Sequence, residues 1–147
     1  MTTNYVRLEF PSKPENVAFA RTAVSAFVSQ LDPTVPELAD ISTAISEATT
    51  NIVVHAYPES EGLVRISATL IGQRVKIEVW DNGCGIFDPR SIRHFGTTTC
   101  NQDRMGIGLS LIEACMDHLE IETKEGEGTQ LTMWKCLGQQ RSDSGND

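Results

Sequence analysis

The fold is decided by residues 64–81, which read Val-Arg-Ile-Ser-Ala-Thr-Leu-Ile-Gly-Gln-Arg-Val-Lys-Ile-Glu-Val-Trp-Asp. Apolar and polar residues alternate on both sides of Gly72-Gln73, and this period of two is typical of half-buried strands. Two residues between two such runs predict a tight hairpin turn. The stretch therefore predicts a pair of antiparallel strands with one apolar face that must be covered.

Helical patterns precede this hairpin and can supply the cover. A first alternating strand is predicted from Tyr5 to Phe10, and Pro11 and Pro14 separate it from a helix that runs to Leu31. A second helix is predicted from about Pro36 to Tyr57, because its apolar residues recur at i, i+3, i+4 and i+7 along one stripe. The order strand, helix, helix, strand, strand lacks the regular alternation of a doubly wound parallel fold.

Three more elements follow a loop with little periodicity at residues 81–108. A third helix is predicted from about Gly108 to His118, followed by a hairpin with strands at Glu120–Glu125 and Thr129–Cys136. The sequence therefore predicts an α+β fold, a two-layer sandwich of about three helices on one face of a mostly antiparallel mixed sheet. We expect one domain over residues 1–137 and a disordered polar tail over residues 138–147.

Composition excludes several classes of protein. The chain has 147 residues and a formal net charge of −8, without a run of Lys or Arg that could bind a phosphate backbone, so no direct nucleic-acid partner is expected. Its apolar runs are far shorter than the roughly 20 residues that span a bilayer, and no membrane partner is expected. We expect a cytoplasmic protein whose four cysteines, which form no C-x-x-C pair, are free thiols.

Polar residues interrupt the apolar pattern of the second helix. Glu47, Asn51 and His55 stand at i, i+4 and i+8, a spacing that stacks a carboxylate, a carboxamide and an imidazole along one strip. The alternative interpretation is the flank of an ordinary helix with a salt bridge.

Two glycine-rich clusters follow. Asp81-Asn-Gly83-Cys-Gly85 ends a strand, where the backbone can approach a ligand closely and Asp81 can accept a hydrogen bond from an amino group; it also resembles a common turn. Arg104-Met-Gly106-Ile-Gly108 opens the third helix, where backbone N–H groups favour phosphates, or it is simply a junction between loop and helix.

The four motifs in this order, Glu-x-x-x-Asn, Asp-x-Gly-x-Gly, Gly-x-Gly and a final Gly126-x-Gly128-Thr129, resemble the GHKL ATPase and kinase superfamily. The stretch from Phe19 to Pro33, together with Ile45–Asn51 and His55–Tyr57, is similar to the anti-sigma-F kinases of endospore-forming bacteria. The resemblance covers nearly the whole chain except the tail. It implies the Bergerat-type ATP-binding fold.

The resemblance also implies roles for individual residues. Glu47 would be the general base toward a substrate serine, Arg104 would reach the γ-phosphate of ATP, and Asn51 would hold Mg²⁺. Asp81 would bind the adenine amino group with support from Thr129. The resemblance also implies a lid over ATP at about Phe87–Asp103. The remaining positions would form this lid and shape the backbone around the nucleotide: Gly83, Gly85, Thr97, Thr98, Gly106 and Gly108.

The implied partners are proteins. The resemblance predicts a homodimer, formed through the first strand and first helix, that holds a sporulation sigma factor of RNA polymerase inactive. It also predicts an anti-anti-sigma protein that is phosphorylated on serine, and it places Arg21 at the partner surface, although a solvated helix residue is the simpler interpretation. The alternative function is a nucleotide-gated sigma-binding module with little or no kinase activity, and the presence of Glu47 favours the kinase.

Overall fold

A computed structural model describes residues 3–57, 60–84, 102–124 and 126–138, with backbone only over 102–108. Three α-helices and five strands lie within these residues, connected by a 3₁₀ turn at Ser29–Leu31 and a π-helical turn at Ile52–Ala56. The helices are α1 (Glu15–Val28), α2 (Val35–Asn51) and α3 (Gln102–Cys115). The strands are β1 (Asn4–Pro11), β2 (Leu63–Ile71), β3 (Arg74–Asp81), β4 (His118–Lys124) and β5 (Gly128–Cys136).

The strands form one sheet in the order β1-β2-β3-β5-β4. The central hairpin is confirmed: Ile71 pairs with Arg74, and Gly72 takes a positive φ of 59°, which glycine adopts at little cost in a two-residue turn. All four strand pairings are antiparallel, so the described part of the sheet is not mixed. Sheet order depends on contacts between distant residues, and local patterning does not specify it.

The three helices cover one face of the sheet, which confirms the predicted two-layer α+β sandwich. Helix α2 packs against both α1 and α3. It begins with a capping box, in which Thr34 Oγ1 accepts from the Glu37 N–H and Glu37 Oε1 accepts from the Thr34 N–H. Its apolar stripe, including Ile41, Ile45 and Ala48, is fully buried against the strands. This central helix also carries the first polar motif.

Helix α3 begins earlier than the sequence predicts. We expected its first residue near Gly108, but it begins at Gln102, so Gly106 and Gly108 lie within the helix rather than before it. A glycine inside a helix costs about 1 kcal/mol relative to alanine, which packing of the following turns can offset. Leu109 and Ile112 supply that packing and are 3% and 0% exposed. The helix also ends earlier, at Cys115, and β4 begins at His118.

Several predicted features lie outside the described residues. These are most of the predicted lid, including Thr97 and Thr98, as well as Gly85 and residues 139–147 of the predicted tail. The division of the chain near residue 138 stays a prediction. Within the described residues, no helix has the length and apolar character needed to cross a membrane.

Candidate nucleotide-binding site

A pocket opens where the ends of β3 and β5 meet α2 and α3. The space between its walls is about 420 Å³, including the part open to solvent. The apolar part of its lining includes Ala48, Ile52 and Leu109, while Asn51, Asp81 and Thr129 contribute the polar groups. Three residues that the sequence predicts as ligand-binding, from three separate elements, therefore share one cavity.

Asp81 is the buried acid of this pocket, with only 8% of its surface exposed. Its Oδ1 accepts the Gly83 N–H at 2.9 Å, and a backbone hydrogen bond from Thr129 adds to this. Burial raises the pKa of Asp81 because a carboxylate loses hydration there, while the two backbone hydrogen bonds act in the opposite direction. An acceptor fixed at the end of a strand in an apolar cavity is suited to recognise an amino group.

Thr129 lies beside Asp81 because the two residues are partners in the β3–β5 pairing. Its hydroxyl is 3.1 Å from the Thr123 hydroxyl on β4. The preceding residue must be glycine, since Gly128 has a φ of 104° and a Cβ there would overlap the Asp81 carbonyl. The final Gly-x-Gly-Thr element thus places Thr129 directly opposite the acid.

Asn51 is the last residue of α2 and is 7% exposed. Its side-chain Nδ2 is buried and has no hydrogen-bond partner among the residues that the structure describes. Burying an unpaired amide costs about 1–3 kcal/mol, which favours a ligand that completes the site.

The donor set fits Mg²⁺ held jointly with a ligand rather than by protein alone. In the described part of the chain, no group of three or more His, Cys, Asp or Glu side chains could hold a metal ion. Magnesium bound to nucleotides commonly takes one or two protein oxygens and completes its shell with phosphates and water. The carboxamide oxygen of Asn51 is suited to such a role.

Glu47 lies one helical turn before Asn51 and is half-buried. Its carboxylate makes no hydrogen bond or ion pair with any other described residue. Its negative charge does act on the Cys115 thiol on α3. Burial is the main cause that raises the pKa of that thiol, and the charge of Glu47 adds to the rise. Glu47 therefore presents an unpaired carboxylate on the side of α2 that faces α3.

The first glycine loop packs tightly on the end of α2, which sequence reasoning missed. A Cβ at Gly83 would overlap the Ala56 carbonyl, and that same carbonyl accepts the Cys84 N–H at 3.0 Å. Gly83 thus makes room for protein backbone, whereas the sequence suggested close approach to a ligand. The π-helical turn at Ile52–Ala56 presents this carbonyl, and no residue pattern predicts that turn.

The other predicted residues fall into two groups. Arg21 is exposed on α1 and its Nη1 donates to Ser46 Oγ at 3.2 Å, so it does not belong to the pocket. Gly85 lies outside the described residues. Arg104, Gly106 and Gly108 are described by their backbone only.

The expectation of free thiols is wrong for Cys84. Cys115 and Cys136 are free, whereas Cys84 is disulfide-bonded. Spacing along the sequence does not reveal which cysteines a fold brings together, and a local pattern therefore could not predict this bond.

This fold and pocket define a nucleotide-binding domain of the histidine kinase type, and a family model described as histidine kinase-like ATPase domain matches residues 10–135. Among solved structures, the RsbU and RsbW domains of a Mycobacterium tuberculosis protein align with a TM-score of 0.68 at 23% identity, covering 91% of this chain and 32% of that chain. An Erythrobacter litoralis blue-light activated histidine kinase aligns with a TM-score of 0.61 at 18% identity, covering 82% of this chain and 42% of that chain. These likenesses show the shared fold.

Curated relatives narrow the class. An anti-sigma F factor from Thermoanaerobacter sp. (strain X514) is 44% identical over 137 residues, which is 92% of this chain and 96% of the relative. One from Clostridium kluyveri is 43% identical over 138 residues, 93% of this chain and 97% of the relative. The chain therefore belongs to the anti-sigma F factor family of histidine kinase-like ATPase domains. Membership of an ATPase domain family implies that it binds ATP.

Proposed function

We propose that this protein is a serine-protein kinase and an anti-sigma factor. It binds a sporulation sigma factor of RNA polymerase and holds it inactive, and it uses Mg-ATP to phosphorylate a serine of an anti-anti-sigma protein. Support comes from the name shared by its relatives, the ATPase domain match and the chemistry of the pocket.

The observation that carries the kinase proposal is the pair Glu47 and Asn51 on α2. One is a half-buried carboxylate without a hydrogen-bond partner in the described chain, and the other is a buried carboxamide that lines the pocket one turn later. A protein that only binds nucleotide has no need of the carboxylate. Phosphoryl transfer to a hydroxyl does need such a group, since it must receive the hydroxyl proton.

In the proposed reaction, Glu47 accepts the proton of the substrate serine. The serine oxygen bonds to the γ-phosphorus of ATP, the bond from that phosphorus to the β–γ bridging oxygen breaks, and ADP leaves. Asn51 would hold Mg²⁺, which neutralises charge on the phosphates when it is bound. Asp81 and Thr129 would bind the adenine base.

The other assigned positions complete the proposal through the family resemblance. Arg104 would bind the γ-phosphate, and Gly83 would hold the loop after Asp81 against the Ala56 carbonyl. The remaining glycines and lid threonines would surround the nucleotide: Gly85, Thr97, Thr98, Gly106 and Gly108.

The partner surfaces are proposed on α1 and β1. Arg21 and Phe19 are both exposed on α1, and Phe19 is 54% exposed; arginine and aromatic residues are both enriched in protein contacts. We place the sigma factor and the anti-anti-sigma protein there. The homodimer would use β1 and α1, in a cytoplasmic protein without direct contact to nucleic acid.

Intact-mass spectrometry tests this function. The purified protein is mixed with Mg-ATP and the anti-anti-sigma protein of the same genome, and we expect a gain of about 80 Da on the partner, one phosphate. Glu47→Ala should abolish the gain, whereas Glu122→Ala, an exposed glutamate on β4, should preserve it. ATP binding without any gain would instead establish the nucleotide-gated sigma-binding module.

A further inference from the structure

The hydroxyl of Tyr57 occupies an unusual place between two strands. It donates to the Leu63 carbonyl at 2.7 Å and accepts the Asn82 N–H at 2.8 Å. The β2–β3 pairing ends with Val64 opposite Asp81, so Leu63 and Asn82 are the residues that would form the next pair. The tyrosine hydroxyl therefore stands where a direct hydrogen bond from the Asn82 N–H to the Leu63 carbonyl would otherwise continue the strand pairing.

This bridge changes the direction of the chain after Asp81. With a hydroxyl between them, the ends of β2 and β3 are held further apart than a direct N–H to carbonyl bond allows. Beyond the bridge, the Cys84 N–H reaches the Ala56 carbonyl at 3.0 Å. The loop that follows Asp81 is thus attached to the end of the π-helical turn and not to β2.

The Tyr57 ring is itself held in place. A Cβ on Gly62 would overlap the ring, so the ring lies directly on the backbone there. Gly62 is fixed in turn by Ser12, because the Ser12 N–H donates to the Gly62 carbonyl at 2.8 Å and the Gly62 N–H donates to Ser12 Oγ at 2.9 Å. A rigid support behind the ring fixes the position of the hydroxyl.

The consequence reaches the pocket through Asp81. The Gly83 N–H that orients the Asp81 carboxylate belongs to the loop that the bridge redirects. We propose that Tyr57 is a positioning residue for base recognition: its hydroxyl keeps the β2 and β3 ends apart and thereby sets where the Asp81 carboxylate meets the amino group of the nucleotide. This inference rests on the proposed binding of adenine by Asp81.

Tyr57→Phe removes the bridge and keeps the ring. The Asn82 N–H and the Leu63 carbonyl then either lose their partner or close into a direct rung, and both outcomes displace the loop that orients Asp81. We expect ATP affinity of the full chain to fall about tenfold, as measured by isothermal titration calorimetry with Mg²⁺ present. The affinity for Mg-triphosphate, which has no base, should change less than about twofold.

Two controls separate a positioning role from a general loss of structure. Ser29→Ala removes another hydroxyl-to-carbonyl bond, 2.8 Å long and away from the pocket, and should leave both affinities unchanged. In an Asp81→Asn background, Tyr57→Phe should cost no further ATP affinity, because the two residues act through one contact.

Each result has a distinct meaning. An unchanged ATP affinity in Tyr57→Phe overturns the positioning role while the proposed function stands. Equal losses for ATP and triphosphate, or additive losses with Asp81→Asn, would show a role in stability only and also overturn it. Absence of ATP binding by the unmodified protein would instead contradict the proposed function itself.

Discussion

Lys135 joins the two helices that border the pocket, although it lies on β5. Its residue is 8% exposed, its Nζ donates to the carbonyl of Cys115 at 2.7 Å, and the same atom is 3.3 Å from Asp40 Oδ2 on α2. Cys115 is the last residue of α3, so the cation also meets the negative end of that helix dipole. We predict that Lys135→Met destabilises the protein by loosening the contact between α2 and α3.

The magnitude follows from these contacts. A hydrogen bond between a charged group and a carbonyl contributes about 1.5–3 kcal/mol, and the Asp40 pair adds only about 0.5 kcal/mol because the Asp40 side chain is 43% exposed. Removing the buried ammonium also removes its desolvation cost, which offsets part of this loss of stability. Methionine keeps most of the apolar packing. We expect a net loss of about 2 kcal/mol, or a melting temperature lower by about 4–8 °C.

Urea denaturation followed by far-ultraviolet circular dichroism measures this loss. Lys76→Met is the matched control. Lys76 is a strand lysine with a side chain 32% exposed, which pairs with Glu78 and lies over the Trp134 ring. Its replacement should change the free energy of unfolding by less than about 1 kcal/mol. The reasoning is refuted if Lys135→Met costs no more than Lys76→Met.

Three further predictions concern the pocket. Asn51→Ala should weaken Mg-ATP binding about tenfold or more and reduce the difference between titrations in Mg²⁺ and in EDTA; an unchanged Mg²⁺ dependence would contradict its role as a ligand. Because burial raises the pKa of Asp81 above its unfolded value of 3.8, the stabilising contribution of that group is present below this value and is lost as pH rises through the folded pKa. The unfolding free energy of the unmodified protein relative to Asp81→Asn should therefore decrease from about pH 4 to pH 7, and a constant difference in denaturation curves would refute this. Gly83→Ala should be more destabilising in thermal melts than Gly126→Ala, since the first Cβ would overlap the Ala56 carbonyl and the second meets nothing within 4 Å and bears only the cost of its φ of 76°; the reverse order would contradict the packing.

Local pattern predicted most of the secondary structure. Each of these patterns has a single period: the alternation in β2 and β3 and the apolar stripe of α2. The ends of the observed elements agree with the predicted ends within a few residues. The glycines at 106 and 108 predict a helix boundary, which puts the start of α3 six residues too late, because the structure has both glycines inside the helix. The π-helical turn and the disulfide at Cys84 depend on tertiary contacts that no local pattern encodes.

The candidate site divides in the same way. The sequence places Asn51 on a polar strip within the second helix and Asp81 at the end of a strand, whereas the role of Thr129 comes from the family resemblance. The fold brings these three residues together in one pocket. Tyr57 and Lys135 were not predicted. Asn82 lies 25 residues from Tyr57, and Cys115 and Asp40 lie 20 and 95 residues from Lys135. A lone tyrosine or lysine gives no periodic signal for such distant contacts.

The central claim is that Glu47 accepts the substrate proton while the neighbouring pocket binds nucleotide. The most direct test is Glu47→Gln, which keeps the size of the side chain and removes its basicity. We predict that ATP affinity stays within about threefold while the rate of phosphate transfer to the anti-anti-sigma protein falls by about 10²–10⁴-fold, the usual contribution of a general base. Transfer within tenfold of the unmodified rate, or loss of ATP binding in a folded variant, would contradict the account.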